Sequence, residues 1–85
     1  MNKSLCWAKK LMTAYILLRT VIAKEHEVAQ AIQGMKGVVE VKVVFGEYDV
    51  VVKAQAKNAR ELDEIVTNIR RINGVVMTST LIASD

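Results

Sequence analysis

The chain has 85 residues, of which 52% are apolar and 25% charged, and it carries a formal net charge of +3. That length holds one domain with a small core, and a single cysteine excludes an intrachain disulfide and any cysteine-built zinc or iron–sulfur centre. The positive charge does not mark a nucleic-acid face: residues 1–24 hold five bases and no acid, whereas residues 25–85 hold seven bases and nine acids, so the body of the domain lacks the basic stripe that direct nucleic-acid binding requires.

In chain order, residues 1–12 read as an N-terminal extension, either a tail or a short helix with Leu5, Ala8 and Leu11 on one side. Met12 is an alternative start, immediately ahead of the domain; beginning there removes three lysines and brings the net charge to zero. Thr13–Val21 is predicted as the first strand, rich in β-branched and aromatic residues. Ile16 and Leu18 fall on one side and Tyr15 and Leu17 on the other, which predicts a central strand buried on both faces. The apolar run Leu11–Ala23 is interrupted by Arg19 and Thr20 and falls short of the ~20 residues that cross a bilayer. Reading it as a secretory leader would delete this strand, so a cytoplasmic location is expected, in keeping with the absence of disulfides.

Glu25–Gln33 is predicted as a helix, with Val28, Ala29, Ile32 and Met35 on its apolar side, two acids in the first turn and Gly34 past its end. Val38–Phe45 is predicted as the second strand, with Val39, Val41, Val43 and Phe45 turned to the helices. Gly46-Glu47 makes a hairpin joint to a third strand, Tyr48–Ala56, apolar on the side of Tyr48, Val50, Val52 and Ala54. Asn58–Ile72 is predicted as the second helix, opened by an Asn58/Glu61 capping box and striped by Leu62, Ile65, Val66, Ile69 and Ile72. Val75–Ala83 is predicted as the last strand, with Val76, Thr78 and Thr80 on one face.

The chain nearly repeats itself. Met35-Lys36-Gly37-Val38-Val39 closes one helix and opens a strand, and Ile72-Asn73-Gly74-Val75-Val76 does the same 37 residues later. Two strand–helix–strand units in one small domain predict a ferredoxin-like α+β fold, βαββαβ, with a four-stranded antiparallel sheet and two helices on one face. The apolar share exceeds what one small core absorbs, and self-association is the simplest outlet.

Catalytic chemistry is thinly represented. His26 is the only histidine and lies in a first helical turn, and the four glycines are isolated turn residues that form no phosphate-cradling loop. No cofactor or metal is expected. The middle strands lack the aromatic run with which RNA-recognition domains of this strand order stack bases, and no Cys-x-x-Cys precedes the first helix as a copper chaperone would need. One constellation remains: Gly46-Glu47-Tyr48-Asp49 at the central hairpin with Thr78-Ser79-Thr80 on the last strand. Hairpin chemistry alone accounts for the first group. Alternatively the two form a small polar pocket, in which Asp49 and hydroxyls meet the ammonium group of an amino acid and glycine backbone approaches its carboxylate.

From Thr13 to Ala83 the residues resemble the effector-binding, oligomerising domain of the Lrp/AsnC transcription regulators, also called the RAM domain. The resemblance rests on Ala14-Tyr15-Ile16-Leu17-Leu18, on Gly37-Val38-Val39-Glu40-Val41, on Val44-Phe45-Gly46-Glu47-Tyr48-Asp49, and on Gly74-Val75-Val76-Met77-Thr78-Ser79-Thr80. It implies a dimeric α+β barrel with sheets face to face, dimers assembled into rings such as octamers, and small effectors, typically amino acids, in the cleft between dimers. Gly46, Tyr48, Asp49, Met77, Thr78 and Thr80 match family positions near that cleft. Regulators of this family carry a helix-turn-helix domain ahead of this one, and twelve residues are too few for it. The resemblance therefore implies a stand-alone, non-enzymatic module that senses an amino acid or joins mixed oligomers with full-length regulators. The competing readings are a small dimeric α+β barrel enzyme, for which the helix-free face offers Glu40, Lys42 and Lys53, and a purely structural partner with no ligand.

Overall fold

A computed structural model describes residues 11–84. Its elements are β1 (Met12–Thr20), α1 (Glu25–Ile32), β2 (Val38–Val43), β3 (Val50–Ala56), α2 (Ala59–Arg70) and β4 (Val75–Ile82). The four strands form one antiparallel sheet in the order β2-β3-β1-β4. The expectation for the extension lies, up to Lys10, outside the described residues, and Met12 is the first residue of β1.

Both helices form where local chemistry favours them. Asn58 Oδ1 accepts the Glu61 N–H at 2.9 Å, and the Glu61 carboxylate accepts the Lys57 N–H at 2.8 Å. Two otherwise orphaned donors at the start of α2 are thereby satisfied. At α1 the capping position is Lys24, with no side-chain cap, and Glu25 and Glu27 in the first turn supply favourable charge instead. Val28 and Ile32 of α1 and Leu62, Ile65 and Ile69 of α2 are buried against Ala14, Ile16 and Leu18 of β1 and Val50, Val52, Ala54 and Ala56 of β3. No polar or charged side chain is buried among the described residues.

The repeat expected from the sequence is a structural one, and its halves interlock. Gly37 has φ +88° and Gly74 φ +105°, a region that side chains other than glycine's adopt at a cost. Gly37 lies under Ile65 of α2, in the second half, where a Cβ would overlap the Ile65 side chain. Gly74 lies under Val28 of α1, in the first half, where a Cβ would come within 3.1 Å of Val28 Cγ2. Each joint is thus packed beneath the helix of the other unit.

The structure corrects three expectations. The sheet is not closed into a barrel: β2 and β4 are its two outer strands, with β3 and β1 between them, and they do not pair. Four twisted strands cannot curl far enough for their outer edges to meet. Second, β1 is central but, among the described residues, covered on one side only. Ile16 and Leu18 are fully buried under the helices, whereas Tyr15 on the other face remains 38% exposed. Third, the register in β2 shifts between Val38 and Glu40, so Val39 is an extra residue. Val38, Val41 and the strand's last residue stay on the core side, but Val39 points to solvent and Phe45, beyond the strand, is 99% exposed. A similar shift at Arg19/Thr20 leaves Val76 without a partner on β1 and lets Val75 pack on the core.

The helix-free face therefore presents Tyr15, Leu17 and Val51, flanked on β4 by Met77, Ser79 and Leu81 and towards β2 by Lys53, Lys42 and Glu40. It is apolar through its middle and on one flank, and charged on the other, where Lys42 and Glu40 pair at 3.7 Å.

Candidate functional site

The β2–β3 connection is longer than a two-residue hairpin, because Val44 to Asp49 leave the strand ladder. Its shape is set by hydrogen bonds to β1. The Asp49 N–H donates to Leu18 O at 2.8 Å, and the Val44 N–H donates to Asp49 O at 2.9 Å. Asp49 Oδ2 accepts from the Thr20 N–H at 2.8 Å and lies 3.4 Å from the Thr20 hydroxyl. Arg19 Nη1 donates to Glu47 O at 2.8 Å. A further tie, from the Val21 N–H to Gly74 O at 2.8 Å, binds the end of β1 to the start of β4. Three connections are thereby pinned together at one end of the sheet.

The sequence candidates are distributed around this end. Gly46 is exposed in the connection, and Tyr48 and Asp49 are half-buried. Leu18 receives the Asp49 N–H on one side and is paired with Thr78 on the other. Asp49 and Thr78 thus flank one residue of β1, about 10 Å apart by two strand spacings. Thr80 pairs with Ile16, two residues further along β1. Met77 pairs with Arg19 and belongs to the helix-free face, whereas Thr78 and Thr80 lie on the helix side near the edge. The chain brings the two groups to the same end of the sheet without joining them into one enclosed pocket.

The larger concavity near this end is a groove of about 470 Å³ lined by Arg70, Val75, Val76, Met77 and Thr78. It joins two of the candidates, Met77 and Thr78, to Arg70 in the last turn of α2. A smaller groove of about 260 Å³, lined among others by Lys36, Gly37 and Glu64, lies at the opposite end of the sheet. Sequence reasoning also missed Thr20 and Arg19, the partners of Asp49 and Glu47. They lie 29 and 28 residues away from them, and no local pattern signals the pairing.

Among the described residues no three His, Cys, Asp or Glu side chains are grouped to hold a metal ion. Nor is any helix there long and apolar enough to cross a membrane.

Comparison with known proteins gives the domain as a whole a family. The family model of the Lrp/AsnC ligand binding domain matches residues 13–85. An HTH-type transcriptional regulator of Pyrococcus abyssi is 38% identical over 77 residues, which are 86% of this chain and 51% of the regulator. The chain thus spans about half the length of the curated regulators it matches. A shorter stretch of 53 residues, 62% of the chain, is 42% identical to a homocitrate synthase of Sulfurisphaera tokodaii, of which it covers 12%. Among solved structures, a hypothetical protein of Pyrococcus horikoshii is 42% identical with a TM-score of 0.79, covering 85% of this chain and 88% of that one. A Thermus thermophilus protein is 36% identical with a TM-score of 0.82, covering 87% and 94%. A feast or famine regulatory protein of M. tuberculosis, crystallised with L-methionine, shares the fold at 19% identity and a TM-score of 0.78, covering 100% of this chain and 56% of that one. The family model runs over all six elements of the sheet-and-helix domain, and the chain belongs to the Lrp/AsnC ligand binding domain family.

Proposed function

We propose that the chain is a non-enzymatic module that associates with itself and binds a small amino-acid effector between copies, so that the effector biases the assembly. The observation that carries this reading is the helix-free sheet face. Tyr15, Leu17, Val51, Met77 and Leu81 form an apolar area on one side of the sheet with no element of the described residues over it, and such an area is more stable against a second copy than against water. The ligand-binding description of the family supports the effector, and so does the bound L-methionine of the feast or famine regulatory protein. The matches to HTH-type transcriptional regulators and, in part, to a homocitrate synthase suit a part that responds to a small molecule in either setting.

In this reading Asp49 meets the ammonium group, Gly46 lets backbone approach the carboxylate, and Thr78 and Thr80 supply hydroxyls, with Tyr48 and Met77 shaping the walls. A ligand that prefers one assembly shifts the population by its difference in affinity. Rings such as octamers, and mixed assemblies with full-length regulators of the family, are the forms such a module would take. Thermal unfolding in the presence of each of the twenty L-amino acids tests the effector. Saturation at a hundred times Kd adds about 2.7 kcal/mol, which in a domain of this size raises Tm by roughly 15 °C. A flat response to all twenty removes the effector from the reading and leaves a structural partner.

A further inference from the structure

Leu11 is the first of the described residues, and it lines the groove of about 260 Å³ at the end of the sheet away from the β2–β3 connection. That groove is lined mainly by apolar surface. Gly37 brings no side chain to it, so it reaches down to Ile65, and Leu11 on its wall is 43% exposed. Gln55, Asn68 and Glu64 also line it and offer side-chain oxygens that accept hydrogen bonds. Its volume lies below the ~300 Å³ at which sites for drug-sized ligands begin and suits one large side chain. Residues 1–10 run directly into Leu11, and they hold the chain's only tryptophan, Trp7, and three lysines with no acid.

We propose that Trp7 docks into this groove of its own chain and fastens the segment ahead of β1 to α2. The indole body packs on Leu11, Gly37 and Ile65, and the indole N–H donates to one of the side-chain oxygens at the rim. A tryptophan fits because it joins a large apolar body to a single donor, which needs a partner once buried. Lys36 and Lys57 at the margin bring ammonium groups suited to an indole face. Glu61 and Glu64, whose carboxylates make no ion pair among the described residues, complement Lys9 and Lys10 in charge. Reach favours the chain's own segment over a second copy. Trp7 lies four positions before Leu11, so the two Cα atoms are at most ~14 Å apart, and the ring is held near the groove at roughly millimolar effective concentration or above. A second copy would first lose its translational freedom. The docking is independent of self-association through the helix-free face and of any effector.

Trp7 is the sole tryptophan and Cys6, beside it, the sole cysteine, so the unaltered full chain carries both probes that the test needs. The emission of Trp7 in the folded chain is expected to be blue-shifted from that of the urea-unfolded chain and protected from acrylamide quenching. A nitroxide attached to Cys6 is expected to broaden the amide signals of Gly37, Ile65 and Asn68 and to spare those of Gly46 and Met77 at the other end of the sheet. Emission and quenching equal to those of the unfolded chain overturn the docking, as does broadening that misses the groove. Mixing isotope-labelled Cys6→Ser chain with spin-labelled chain of natural isotope content gives the third arm. Groove signals that stay sharp in the mixture keep the ring within its own chain, and groove signals that broaden there place it in a second copy and overturn the inference.

Discussion

The Asp49 carboxylate accepts the backbone N–H of Thr20 at 2.8 Å, bridging 29 residues of sequence and tying the β2–β3 connection to the end of β1. The residue proposed to meet an effector is therefore also a brace of the frame that presents it. The two roles separate on substitution. Asp49→Ala leaves the part-buried Thr20 N–H without its partner and is expected to cost about 1–3 kcal/mol in urea unfolding. Asp49→Asn keeps an acceptor oxygen and is expected to cost less, but without the negative charge it loses most of any amino-acid-induced rise in Tm. An Asn variant that keeps the full ligand response would restrict Asp49 to bracing.

Gly37 and Ile65 are matched in shape, and their substitutions should interact. Gly37→Ala meets both the positive φ and the Ile65 side chain, and a loss of about 2–3 kcal/mol is expected. Ile65→Val alone should cost about 0.5–1.5 kcal/mol. In the Gly37→Ala background it relieves the overlap, so the double variant should be more stable than the sum of the two losses allows. A double-mutant cycle by urea unfolding at one fixed protein concentration measures the coupling, and strict additivity would contradict the packing described.

The two helix starts should respond differently to truncation. Asn58→Ala removes the side-chain cap of α2 and is expected to cost about 1 kcal/mol. Lys24→Ala at the start of α1 loses no cap, only an exposed ion pair with Glu27 at 3.2 Å, and should stay within about 0.5 kcal/mol of the parent. Thermal and urea unfolding of the two variants side by side give the contrast.

Much of the fold was legible because its signals are local. The Asn58/Glu61 cap, the stripe of Leu62, Ile65 and Ile69, and the paired joints at Gly37 and Gly74 are each written in a few adjacent residues. The register of β2 was not. Val38 and Val39 are equally apolar, so alternation cannot say which of them is the extra residue, and it carried Phe45 inward although the strand ends at Val43. The barrel was implied by the family resemblance and not by any pattern in the strands, and the open order β2-β3-β1-β4 does not close into one. At the site, the motif residues were visible in the sequence, but the Asp49–Thr20 and Arg19–Glu47 ties depend on strand order, and Arg70 enters only because α2 ends beside β4.

The most direct measurement is the mass in solution of the wild type and of Leu17→Lys, by light scattering at tens of micromolar. Leu17 lies at the middle of the helix-free face, between Val51 and Ser79, and a lysine there leaves the core under the helices untouched while placing a charge where a second copy would pack. The wild type is expected to be a dimer or larger, and Leu17→Lys a folded monomer. A monomeric wild type, or a Leu17→Lys variant that assembles as the parent does, would contradict the claim that this face is covered by another copy of the chain.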